Sequence, residues 1–156
     1  MRFLIQRVSE ASVRIDGQIA GEIGAGILLL VGLGAGDTEA IFEPALEKIL
    51  NLRIFNDENG QMNRSLRDVA GGVLAVSQFT LYADARKGRR PSYTAAMPPA
   101  DARILYENFV ERLRAAHTGA TATGVFGADM KVALLNDGPV TIWLDSDEMG
   151  WSRPAK

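Results

Sequence analysis

A chain of 156 residues with 47% hydrophobic and 23% charged residues has the makeup of a single globular domain. Its formal net charge of -2 excludes wholesale electrostatic wrapping of nucleic acid and leaves only a local basic patch to meet phosphates. The absence of cysteine excludes a disulfide, a thiolate nucleophile and a cysteine metal site, and makes a cytoplasmic location the expectation.

Arg2 and Arg7 interrupt the first apolar stretch, so no cleaved leader is expected there. No run approaches the ~20 apolar residues of a membrane span, and the longest, Ile27–Leu33, suits a buried strand. Arg2–Val8 alternates around Phe3 and Ile5. Ala11–Ile15 and Gln18–Ile23 flank Asp16-Gly17, a hairpin signal because both central residues of a type I′ turn need positive φ. Gly26–Leu33 is apolar without alternation and should be covered on both faces.

Thr38–Leu52 places Ile41, Ala45, Ile49 and Leu52 at helical spacing, with Asp37 as N-cap. Pro44 requires that this helix begin near it or kink. Leu52–Phe55 reads as a strand, Asn56–Gly60 as a turn and Gly72–Leu81 as a central strand. Asp84–Pro99 is a loop carrying Arg86, Lys87, Arg89 and Arg90. Ala100–Ala116 is a second helix with Ile104, Leu105, Phe109, Val110 and Leu113 on one apolar face. Thr121–Phe126 and Lys131–Asp145 complete the sheet, and Ser146–Lys156 reads as a polar tail or surface segment. The expected fold is one α+β domain with a curled, barrel-like, mostly antiparallel sheet and two main helices.

The catalytic inventory is sparse. His117, the one histidine, falls at the end of the second helix, where a favourable dipole interaction explains it without chemistry. Nothing has metal-ligand spacing, and neither a metal nor a cofactor is expected. Gly32-Leu33-Gly34-Ala35-Gly36 lies between a strand and a helix, but it lacks the spacing of a phosphate-binding loop and reads better as a plain turn.

Two segments stand out. Ser77-Gln78-Phe79-Thr80-Leu81 ends an apolar strand in hydroxyls and an amide. Asn136-Asp137-Gly138-Pro139-Val140-Thr141 puts a proline inside an apparent strand, which marks an edge or bulge. Each alone is explained by local structure, as strand-end hydroxyls and as a bulge. The two motifs SQFTL and NDGPVT, in that order, resemble the signature of the D-aminoacyl-tRNA deacylases (D-tyrosyl-tRNA deacylases). The resemblance extends from Gln6-Arg7-Val8 and Ala11-Ser12-Val13 through Arg53-Ile54-Phe55, Met62-Asn63 and Arg90-Pro91-Ser92 to Trp143-Leu144. It covers residues 1–145 as one deacylase domain and leaves 146–156 as a C-terminal tail without a counterpart.

The resemblance implies a homodimer that hydrolyses the ester between a D-amino acid and the 3′-terminal adenosine of tRNA, and that also clears mischarged glycine. It implies a cis Gly138-Pro139 bond reaching into the partner's site as chiral selector. Its two carbonyls would hold the α-ammonium so that an L side chain meets backbone. Catalytic roles fall to Ser77, Gln78, Phe79 and Thr80. Backbone N–H groups near Phe79 and Thr80 form an oxyanion hole, and water is activated with help from the ribose 2′-hydroxyl. Thr80 as a nucleophile stays open, although no base is evident for it. Phe79 is either a stacking surface for the base or core. Arg7, with Asn136 and Thr141, is read as support for the selector, since a buried guanidinium needs acceptors. Arg86, Lys87, Arg89 and Arg90 would grip tRNA phosphates. Two rivals remain at this stage: an esterase for small acyl groups acting through Thr80, and a non-catalytic module that binds RNA ends.

Overall fold

Asp16 and Gly17 both take positive φ, 50° and 79°, and turn strand β1 (Arg2–Ile15) back on β2 (Gln18–Ile23). This hairpin begins the fold in a computed structural model that describes residues 1–151. β1 is long enough to serve three partners. β3 (Gly26–Gly32) pairs antiparallel with its first half, from Arg2↔Gly32 to Val8↔Gly26, and β2 pairs with its second. β8 (Lys131–Asp145) runs antiparallel along the whole of β1. Beyond β3 the sheet continues in parallel through β6 (Gly72–Ser77) and β7 (Thr121–Thr123). β7 then returns to β2: a Cβ on Gly21 would stand 2.5 Å from the Thr123 carbonyl oxygen, so only glycine allows this approach. The result is the nearly closed, mostly antiparallel sheet predicted from the sequence.

Helices α1 (Phe42–Asn51) and α2 (Pro99–Ala116) cover one face of that sheet. Phe3, Ile5, Ile27, Leu29 and Val31 pack there against Ile49, Leu50, Phe109 and Leu113. Val8, Val13, Ile23, Leu28, Leu74 and Val76 fill the other face. The unalternating run in β3 is thereby explained, since its successive residues enter two different cores.

The first helix starts later than predicted. A 3-10 turn spans Glu39–Ile41, and α1 follows with Pro44 in its first turn, where a missing N–H costs no intrahelical bond. Asp37 is not its N-cap. Its Oδ2 instead accepts from the Gly34 N–H at 2.6 Å and from the Tyr82 hydroxyl at 3.3 Å. The predicted strand at Leu52–Phe55 is reduced to β4 (Phe55–Asn56), which pairs with β5 (Met62–Arg64) in a separate small sheet. The predicted strand Gly72–Leu81 ends at Ser77. On α2, Ala102, Tyr106, Phe109, Val110 and Leu113 are buried, whereas Ile104 is 61% exposed and outside the expected face.

The segment after β8 does not leave the core at once. Ser146 is fully buried, its N–H bonded to the Met1 carbonyl at 2.9 Å, and Trp151 packs edge-on to Phe3 at 6.4 Å. The tail or surface segment expected from 146 thus opens on a buried residue before 147–150 are exposed, and residues 152–156 lie outside the described residues.

Candidate active site

The SQFTL segment is where β6 stops being a strand. The Gln78 N–H still reaches back to Val31 O at 2.8 Å, and then Phe79–Tyr82 form one 3-10 turn. The first bond of that turn runs from the Leu81 N–H to Gln78 O. The N–H groups of Phe79 and Thr80 precede it, so the turn itself leaves both donors unused. Gln78 Nε2 donates to Thr80 Oγ1. Among the described residues no carboxylate or imidazole bonds to Thr80. Phe79 turns outward, 58% exposed, and meets Tyr93 edge-on with centroids 5.0 Å apart.

Ser77, Gln78 and Phe79 line a cavity of about 610 Å³. Tyr93, Met97 and Pro98 form one wall, from the loop before α2, and Phe126, Gly127 and Met130 another. A mostly apolar cavity with a few polar groups suits a nucleobase or similar flat ligand. Asp129 also lines it, but its carboxylate is paired with Lys131 at 2.7 Å.

The basic loop borders this cavity through Tyr93 and Thr94. Asp84 and Ser92 close its base with two backbone bonds of 2.8 and 2.9 Å. Within it, Arg86 is not a free cation as the sequence reading implies. Its Nε and Nη2 reach Asp84 at 2.8 and 2.6 Å, and this hydrogen bonding holds the Asp84 carboxyl well below the usual range. Lys87, Arg89 and Arg90 are exposed, with no carboxylate within 4.0 Å among the described residues.

The NDGPVT segment lies elsewhere. Gln6 pairs with Thr141 and Val8 with Asn136, so Asp137–Val140 stand opposite the single residue Arg7 and bulge out of the ladder. Proline fits because no ladder bond asks for its N–H. The Gly138-Pro139 bond is cis, both residues are exposed, and Gly138 has φ +117°. Asn136 latches the base of the bulge: Oδ1 accepts from the Val140 N–H at 3.3 Å, and Nδ2 donates to Thr141 Oγ1 at 3.1 Å. Gln6 Nε2 donates to the same hydroxyl at 3.3 Å.

Arg7 is only 6% exposed, and its guanidinium spans the space beneath the bulge. Nε donates to Asp137 O at 3.0 Å and lies 3.3 Å from Asp137 Oδ2. Nη1 donates to Ile54 O at 2.6 Å and to Asn56 Oδ1 at 3.3 Å. The buried charge is therefore satisfied from both sides.

The predicted site residues thus fall into two groups. Ser77, Gln78 and Phe79 meet at the cavity, with Thr80 beside them. Arg7, Asn136, Gly138, Pro139 and Thr141 meet at the bulge. The groups sit on different strands, with β3 and β1 between β6 and β8. His117 belongs to neither, being buried with Nε2 2.8 Å from Gly71 O. The glycine turn at 32–36 is closed to phosphate, since its Gly34 N–H is taken by Asp37 and its Ala35 N–H by Ala95 O at 3.0 Å. Among the described residues no cluster of three or more metal-ligating side chains occurs, and no helix is long and apolar enough to cross a membrane.

Comparison with known proteins identifies the family. The family model described as D-Tyr-tRNA(Tyr) deacylase matches residues 4–145. A D-aminoacyl-tRNA deacylase of Thermomicrobium roseum is 61% identical over 149 residues, covering 96% of each chain. One from Chromobacterium violaceum is 58% identical, covering 94% of this chain and 97% of that one. Among solved structures, the c-Myc DNA Unwinding Element Binding Protein superposes with a TM-score of 0.89 at 42% identity, covering 94% of this chain and 99% of that one. A probable eukaryotic D-amino acid tRNA deacylase shares the fold, with a TM-score of 0.81 at 17% identity over 92% of this chain and 97% of that one. With both signature segments intact and the match extending over nearly all of the sheet and both helices, the chain belongs to the D-Tyr-tRNA(Tyr) deacylase family.

Proposed function

We propose that this protein is a D-aminoacyl-tRNA deacylase that hydrolyses the ester joining a D-amino acid, or mischarged glycine, to the terminal adenosine of tRNA. The observation that carries the reading is the family match over residues 4–145, which takes in both the exposed Gly138-Pro139 bulge and the cavity lined by Ser77, Gln78 and Phe79. In this reading the cavity takes the adenosine, and the Phe79 and Thr80 N–H groups receive the ester oxygen as negative charge develops on it. Among the described residues Thr80 has no base to make it a nucleophile, which favours attack by water positioned with help from the ribose 2′-hydroxyl. The Gly138 and Pro139 carbonyls would hold the α-ammonium, so that an L side chain is driven against backbone while hydrogen fits either way. Selection then works by exclusion and needs no particular side chain. Arg7, Asn136 and Thr141 keep the bulge in shape, and Lys87, Arg89 and Arg90, with Arg86 beside them, meet phosphates.

The bulge and the cavity lie on different strands of one chain, which supports a homodimer in which each subunit's bulge enters the other's site. A cytoplasmic location follows from the substrate, and residues 1–145 make up the deacylase unit. The test is hydrolysis of D-Tyr-tRNA, L-Tyr-tRNA and Gly-tRNA by metal-stripped protein. Rapid loss of the D and glycyl esters alone is expected. Hydrolysis of the L ester at a similar rate would remove Gly138-Pro139 as selector, and stability of all three esters would leave an RNA-binding module.

A further inference from the structure

Arg103 is an arginine whose position the core does not explain. It is exposed on α2 directly after Ala102, a buried residue of the cavity wall. Its guanidinium carbon lies 5.5 Å from the centroid of the Phe126 ring, and a Cβ on Gly127 would be 3.9 Å from its Nη2. Phe126 and Gly127 both line the cavity, so the charge sits at that wall. Arg2, Arg7, Arg86, Arg114 and Lys131 all have a carboxylate within 4.0 Å, whereas Arg103 has none among the described residues. Resting on the ring orders the side chain in advance, which lowers the entropy lost when a ligand is gripped, and leaves the planar N–H fork free.

We propose that Arg103 binds the phosphate that joins the terminal adenosine of the substrate to the nucleotide before it. The inference rests on the deacylase reading and adds a contact to it. A base inside the cavity leaves its sugar and 5′-phosphate at the rim. The basic loop borders the cavity at Tyr93–Thr94, and Arg103 rests on Phe126 beside Gly127, two residues that line its other wall. A guanidinium is the side chain best matched to a phosphate there.

The experiment compares D-Tyr-tRNA with D-Tyr-adenosine, a 3′-ester that has no phosphate, using the full chain. For Arg103→Gln the kcat/KM ratio of the two substrates is expected to fall about tenfold, through a higher KM for the tRNA, as for loss of one charge-assisted bond. The slope of log kcat/KM against log salt on tRNA should become shallower by about one. Arg103→Lys, which keeps the charge, should restore the slope. An equal effect on both substrates, or none on the tRNA, would overturn the inference while leaving the deacylase reading intact. Failure of the wild-type protein to hydrolyse either ester would overturn the deacylase reading itself, and this contact with it.

Discussion

A methyl group on Gly138 has no room. Its carbon would stand 2.5 Å from Arg7 Nη2 and 3.0 Å from Val140 Cγ2, at a φ of +117° that L residues rarely adopt. Arg7 is unable to yield, because its other nitrogens are bonded to Asp137, Ile54 and Asn56. Gly138→Ala should therefore cost about 1–3 kcal/mol of stability, read from urea unfolding. It should also move the bulge, so that L-Tyr-tRNA hydrolysis rises relative to D-Tyr-tRNA. A lower stability with an unchanged D to L ratio would make Gly138 a residue of the fold alone. The need of Arg7 for acceptors is legible in the sequence, because an arginine at an alternating strand position has to be satisfied wherever it is buried. The acceptors are not legible. Ile54 and Asn56 lie more than forty residues away, just before and within a two-strand sheet too short for periodicity to reveal.

Element boundaries moved wherever a side chain found a tertiary partner. Asp37 is a sound N-cap by residue type, yet its carboxylate is taken by the Gly34 N–H and the Tyr82 hydroxyl, and the helix begins five residues later. The exposure of Ile104 follows from the rotation of α2 set by Phe109, whose ring packs on Phe3 at 5.6 Å and Phe42 at 5.4 Å. Tyr106 takes the buried place instead, because its hydroxyl reaches Ala75 O at 3.0 Å. Hydrophobicity ranks isoleucine above tyrosine, and only the acceptor on β6 reverses that order.

The ends of β1 and β8 are joined in the same manner. Arg2 Nε donates to Asp145 Oδ2 at 2.8 Å, Nη1 donates to Leu81 O at 3.0 Å, and the guanidinium lies 4.3 Å over the Tyr82 ring. This clasp fixes the far end of the SQFTL turn. Burial alone would raise the Asp145 carboxyl, but the Asp147 N–H and Arg2 outweigh it and hold it below its ordinary value of 3.8. A carboxyl lowered in the folded state contributes stability in full above 3.8 and loses it as pH falls through the folded value. Asp145→Asn is therefore expected to melt below the wild type at neutral pH, with the gap closing in acid. A gap independent of pH would mean that packing, not charge, holds the clasp.

At the scale of the molecule, the two signature segments face a problem of distance. Ser77 lies level with Val31, which pairs with Phe3, whereas the bulge leaves β8 opposite Arg7, further along β1. Between β6 and β8 stand β3 and β1, and three strand spacings amount to roughly 14 Å before any offset along the strands. That separation is what the proposed shared site would resolve, each chain's bulge serving the other chain's cavity. The motifs are legible in the sequence, but their separation is not, because it depends on the order of strands in the sheet. A subunit-mixing experiment tests the consequence. Ser77→Leu obstructs the cavity floor, and Pro139→Ala alters the bulge; each alone should depress D-Tyr-tRNA hydrolysis. If sites are shared, random reassortment of equal amounts gives half heterodimers, each with one site built wholly from unmutated segments, and about a quarter of wild-type sites return. If each chain holds its own site, mixing restores nothing beyond the mean of the two parents, and the bulge acts on something other than the cavity.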